Sequence, residues 1–85
     1  MGKLSPEAVH EAVVDCIQSV APEADFTTLR ADKPWRDQLE IDSFDFQNIM
    51  VAIHQRLGVD IPERDYRKIT TLEQFVAHVV SRLPG

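Results

Sequence analysis

Cysteine is nearly absent from this 85-residue chain, where Cys16 stands alone. A single thiol gives no internal disulfide framework and no CxxC metal pair. Positive charge is also scarce. Nine Lys and Arg against 14 Asp and Glu give a formal net charge of -5. Nucleic-acid binders normally carry a basic face, so no nucleic-acid partner is expected, whereas basic protein surfaces are suitable partners. No apolar run approaches a membrane span, so membrane insertion is not expected either. Met1-Gly2-Lys3-Leu4-Ser5-Pro6 lacks the apolar core of a secretory signal. Pro6 also stands where a myristoylation site wants Ser or Thr. The cytoplasm is the expected location.

What is present reads as one helical domain over residues 1–85 with a thin core. Ser5-Pro6-Glu7 has the chemistry of a helix start: a capping hydroxyl, a first-turn proline and an acid at the positive end. Val9, Ala12, Val13, Cys16, Ile17 and Val20 then recur on one face, and the helix should stop near Ala21-Pro22. Cys16, in the middle of that face, reads as a small buried hydrophobe. From Pro22 to Ile41 no helical or strand period appears. A loop that long in a compact domain is functional or pinned by its own side chains. Phe26, Leu29, Trp35, Leu39 and Ile41 are the available pins, with Trp35 as the main anchor.

A second helix is expected from Ser43 to about Leu57, capped by Asp42, with Asp45 in its first turn and Gly58 as its stop. Steps of about 100° put Phe46, Ile49, Met50, Ile53 and Leu57 on one side. Phe44 and Val51 fall on the opposite side, among Gln47, Asn48 and Gln55. Val59-Asp60-Ile61-Pro62 reads as an extended linker, and Glu63 to Lys68 as one or two helical turns with Tyr66 and Ile69 as apolar contacts. Thr70 with Glu73, or Thr71 with Gln74, offers a capping box for a last helix that ends at Pro84-Gly85. The expected fold is all-α: a small antiparallel bundle of three main helices and one short one, with a long crossover after the first.

Asp42-Ser43-Phe44 is the segment with functional content. A serine at the first position of a helix is exposed on rigid backbone beside amides that favour a phosphate. A catalytic serine needs a base within hydrogen-bond reach. His54 lies eleven residues along the same helix, roughly 16 Å away at 1.5 Å per residue. No GxSxG elbow is present. His10, His54 and His78 all read as solvated surface. Asp37, Glu40, Asp42 and Asp45 lack the spacing and glycine of a calcium loop, so no metal site is expected. The reading is a carrier of a phosphate-linked group, not an enzyme.

Three segments resemble the acyl carrier proteins. Leu39-Glu40-Ile41-Asp42-Ser43-Phe44-Asp45 parallels that family's LGLDSLD, Leu57-Gly58-Val59-Asp60-Ile61-Pro62 parallels FGIEIP, and Lys68-Ile69-Thr70-Thr71-Leu72 parallels KITTV. The likeness runs from about Ser5 to Leu83. It implies that a phosphopantetheinyl transferase moves 4'-phosphopantetheine from coenzyme A onto Ser43, with Asp42 taking part in recognition and the transferase supplying metal and base. The arm would hold acyl groups as thioesters for acyl ligase, ketosynthase or acyltransferase-type partners. In this family the acyl chain can also fold back between the helices. Phe46, Ile49, Met50, Ile53, Ile69 and Val76 are the candidate slot, although the same residues serve equally as plain core. Phe44, Asp45, Gln47 and Val51 form the candidate docking face beside the serine. A monomer is the default.

The chain departs from the family pattern. Phe44 replaces a leucine and Glu40 a glycine. His54, Gln55 and Arg56 stand where typical members carry acids, and Gln47 and Asn48 replace an aliphatic residue and a glutamate. Such a face suits a dedicated partner set, as in specialised lipid or polyketide synthesis, better than housekeeping fatty-acid synthesis. A stand-alone aminoacyl, peptidyl or D-alanyl carrier stays open, although those families often show LGGxS before the helix. An unmodified helical interaction module is the alternative of another class.

Overall fold

The computed structural model describes residues 5–83, so Met1–Leu4 and Pro84–Gly85 lie outside it. The expectations for the N-terminal leader and for a stop at Pro84-Gly85 fall on those residues. Helix α1 spans Pro6–Val20. Ser5 Oγ accepts the Ala8 N–H at 3.2 Å, satisfying one of the donors that a helix start leaves open. The helix closes where the Ala21 N–H meets the Ile17 carbonyl at 2.8 Å. Val9, Ala12, Val13, Cys16 and Ile17 are buried along one face, as their spacing predicts. Burial pushes the Cys16 thiol above its ordinary value, an effect partly offset by the Arg56 guanidinium.

The crossover is not devoid of regular structure. Helix α2, Trp35–Leu39, lies within it. Five residues are too few to show a period, so tertiary contacts decide. Trp35 is fully buried. Its indole N–H donates to the Ile69 carbonyl at 2.7 Å, and its backbone N–H donates to Thr70 O at 3.1 Å. The ring stacks on Phe75 with centroids 5.2 Å apart and tilts against Phe46 at 5.8 Å. Gln38 ties the loop from within. Its Oε1 accepts the Arg30 N–H at 2.8 Å while its Nε2 donates to Arg30 O at 2.9 Å.

Helix α3 spans Ser43–Leu57 and ends on Gly58, whose φ of +69° a residue without Cβ adopts at little cost. A 3-10 helix, Glu63–Ile69, follows the extended linker. Helix α4, Leu72–Arg82, starts in the Thr71–Gln74 capping box. Gln74 N–H reaches Thr71 Oγ1 at 3.0 Å, and Thr71 N–H reaches Gln74 Oε1 at 3.1 Å. Thr70 takes another role, donating to Arg67 O at 3.0 Å.

Among the described residues these are five helices and no strand. α1 packs on both α3 and α4, and the 3-10 helix packs on α4. The bundle is therefore as expected, with one extra short helix in the crossover.

One expectation about surface chemistry fails. His78 is not solvated, because its side chain is only 11% exposed and its Nε2 lies 3.4 Å from Asp65 Oδ2. Asp65 is itself buried, and Lys68 Nζ at 3.6 Å and Arg82 Nη1 at 3.5 Å also approach it. A buried carboxylate needs such partners, since removal from water otherwise penalises its charge. The cluster fastens the 3-10 helix to α4.

Candidate functional site

The site is the junction between α2 and α3. Helix α2 ends on Glu40, which adopts φ 55° and ψ 45°. That left-handed conformation suits glycine and costs a residue with Cβ on the order of 1 kcal/mol. It turns the chain so that the Ile41 N–H returns to Arg36 O at 2.9 Å and Ile41 drops into the core. Asp42 and Ser43 then emerge on the surface. Buried Ile41 and Phe46 thus anchor both sides of an exposed tripeptide, Asp42-Ser43-Phe44.

Asp42 has extended backbone, φ -82° and ψ 177°, and its Oδ1 accepts the Asp45 N–H at 2.8 Å. The Phe46 N–H bonds to Asp42 O at 2.9 Å. Of the first-turn amides, those of Ser43 and Phe44 have no intrahelical acceptor. They lie at the positive end of a 15-residue helix, where an anionic group gains from the dipole. A phosphodiester on Ser43 would face these two amides and solvent, so the residues present fit an attached phosphopantetheine.

The three histidines lie on three different helices, and none is in the first turn of α3. His78 is engaged with Asp65, His54 is in the last turn of α3, and His10 is on α1. Among the described residues no cluster of His, Cys, Asp and Glu could hold a metal.

The predicted docking residues share the start and outer face of α3. Phe44 is 75% exposed and Val51 52%. Gln47 is exposed, and Asp45 is half-buried behind the Asp42 cap. Arg56, which stands where typical members carry an acid, is paired across the bundle with Asp15 of α1 at 3.3 Å.

The predicted slot residues do not converge on one space. Phe46 and Ile69 line a cavity of about 300 Å³ with Ile41, Tyr66, Pro34 and Arg36. Phe46 makes an edge contact with Tyr66 at 4.8 Å, and the Arg36 guanidinium sits 4.2 Å from the Phe46 centroid. Ile49 and Ile53 are wholly buried in the core, and Met50 is half-buried against it. Val76 lines a separate groove between α1 and α4.

Sequence reasoning passed over Arg36, Gln38 and Asp65. Arg36 and Asp65 act through contacts distant in sequence that no local pattern announces. Gln38 lies eight residues from Arg30, inside a stretch with no period to read.

Residues 11–79 match the family model for the phosphopantetheine attachment site. The chain belongs to the acyl carrier protein family. Named acyl carrier proteins agree along most of the length. That of Rubrobacter xylanophilus is 29% identical over 73 residues, covering 82% of this chain and 90% of that protein. That of Renibacterium salmoninarum is 32% identical over 62 residues, 73% of this chain and 72% of its own. The protein of Tropheryma whipplei is 27% identical over 78 residues, 92% and 94% of the two chains. Membership implies a covalently attached 4'-phosphopantetheine, and the carrier carries no described helix long and apolar enough to cross a membrane.

Proposed function

We propose that Ser43 is the attachment point of 4'-phosphopantetheine and that the protein presents acyl thioesters to partner enzymes without catalysing a step itself. The carrying observation is an exposed serine at the first position of α3, held between buried Ile41 and Phe46 and beside two free amides. The arm supplies a terminal thiol for the thioester. The chain's own residues hold the phosphate end rigid: Asp42 caps the helix, and the Ser43 and Phe44 amides offset negative charge. A phosphopantetheinyl transferase is the first partner.

Phe44, Asp45, Gln47 and Val51 form the proposed docking face. An exposed aromatic and valine with neutral amides between them favour a partner that reads apolar contact more than charge. Arg64 and Arg67 on the 3-10 helix are exposed as well, and they would oppose the basic rim that suits a strongly acidic carrier. These features support service in a specialised acyl pathway. Holo-protein should therefore be a poor substrate for a generic ketosynthase, and turnover equal to that of a strongly acidic carrier would refute this assignment. Of the slot residues, Phe46 and Ile69 have open space in front of them, which supports that cavity as the place where a cargo would begin to enter.

The test is intact mass after incubation with coenzyme A and a promiscuous phosphopantetheinyl transferase. Wild type should gain one phosphopantetheine and Ser43→Ala none. A modified Ser43→Ala protein would overturn the assignment.

A further inference from the structure

One open apolar feature of the molecule lies away from α3 and Ser43. A groove of about 790 Å³ runs between α1 and α4. Its apolar side is Leu72, Val76, Ala77 and Val80 of α4, with Ala31 of the crossover; Pro6, Glu7, His10 and Glu11 of α1 form the other wall. Helix α4 buries Phe75 and Val79 in the core, but its apolar face is wider than that. Val76 and Val80, four residues apart, are left only half-buried over the groove. Among the described residues nothing covers them, because α1 presents carboxylates there and the crossover contributes one small side chain.

The charge around the groove is of one sign. Among the described residues Glu7, Glu11 and Glu73 line it, and no Lys or Arg does. All three acids are exposed, and none belongs to a recorded ion pair among the described residues. A smaller depression of about 320 Å³ continues it through His10, Glu11, Ala31 and Leu72 towards Phe26 and Leu29. Its Asp15 is already paired with Arg56. An apolar floor between uncompensated acids selects against a free fatty acid, whose carboxylate the rim repels. It selects equally against a second copy of this chain, whose net charge is -5. It suits an amphipathic helix with an aliphatic stripe flanked by lysines or arginines.

We infer that this groove is a second docking surface, for a basic amphipathic helix of a partner protein. No residue of α3 lines it. A partner seated there would leave the Ser43 end of the molecule free, so the groove would serve as a tether that holds the carrier while its arm visits other enzymes. The docking surface is independent of the Ser43 reading; its role as a tether rests on that reading.

The test uses the full, unmodified chain and two synthetic helical peptides of about 14 residues, long enough to span α4. Both carry leucines at helical spacing; one is flanked by lysines and the other by glutamates. Methyl NMR should show the lysine peptide shifting Leu72, Val76 and Val80. Its affinity should fall with added salt, and by on the order of ten-fold in the Glu7→Gln/Glu11→Gln/Glu73→Gln variant. The glutamate peptide should leave those methyls unmoved. The inference is overturned if neither peptide binds, if both bind alike, or if the shifts map to the Val51 methyls on the outer face of α3. It is overturned too if loading an octanoyl chain onto holo-protein moves the Val76 and Val80 methyls, because the groove would then hold cargo.

Discussion

Asp42 caps α3, and the family resemblance implies that the transferase also reads it; two substitutions separate the two roles. Its Oδ1 caps α3 through a 2.8 Å bond to the Asp45 N–H. Asp42→Ala removes that acceptor, at about 1 kcal/mol, and also a charge at the positive helix end, worth roughly 0.5 kcal/mol at an exposed site. A total of about 1.5 kcal/mol corresponds to a Tm drop of roughly 6–12 °C for a domain of this size. Asp42→Asn keeps a capping oxygen and loses only the charge, so it should melt about 2–4 °C below wild type. Asp45 remains in the first turn of both variants, which limits the charge effect. The assay pairs thermal melts followed by circular dichroism with initial rates of phosphopantetheine transfer at a temperature where all forms are folded. If the carboxylate is read by the transferase, Asp42→Asn stays folded yet transfers at least about ten-fold more slowly, a loss of one hydrogen-bonded charge. Transfer by Asp42→Asn at the wild-type rate would refute the recognition role and leave Asp42 a cap alone.

Trp35→Phe should destabilise the fold by about 2–3 kcal/mol: it orphans the buried Ile69 carbonyl, worth at least 1 kcal/mol, and opens a space of roughly 40 Å³ at about 24 cal/mol per Å³. A loss below about 0.5 kcal/mol in denaturant titration would show that α2 does not depend on this anchor. Glu40→Gly should stabilise, because it relieves a left-handed residue costing about 1–2 kcal/mol and gives back only part of that as backbone entropy; a lower Tm would contradict the strained turn. Phe44→Ala and Val51→Ala should slow partner reactions while changing stability by no more than about 0.5 kcal/mol, as exposed positions do. A large loss of stability in either would show that these side chains are core and end the docking assignment.

The main helices were legible because each carried its own start, stop and period. Ser5, Asp42 and Thr71 cap where their chemistry predicts, and Gly58 ends α3 with positive φ. The stripe Phe46, Ile49 and Ile53 is buried, and Phe44 and Val51 are exposed, as placement on a 3.6-residue helix requires. Helix α2 escaped notice because its stability comes from Ile69 and Thr70, about 35 residues away in sequence. His78 was misjudged for the same reason: the periodicity of α4 sets it beside the apolar face, but only the fold brings Asp65 to it. In the site, the geometry of Asp42 and Ser43 followed from local capping rules. The two open spaces did not, since an apolar residue at helical spacing reads alike whether a neighbouring helix covers it or leaves it bare.

Trypsin should release Asp37–Arg56 as one peptide, in which Ser43 is the sole hydroxyl-bearing side chain. Fragmentation of that peptide from protein loaded by transferase and coenzyme A puts the mooring role of this serine to its most direct trial. The expected result is a phosphopantetheine carried by that peptide and by no other; its recovery on a different peptide, or nowhere after complete reaction of a control carrier, would contradict the account.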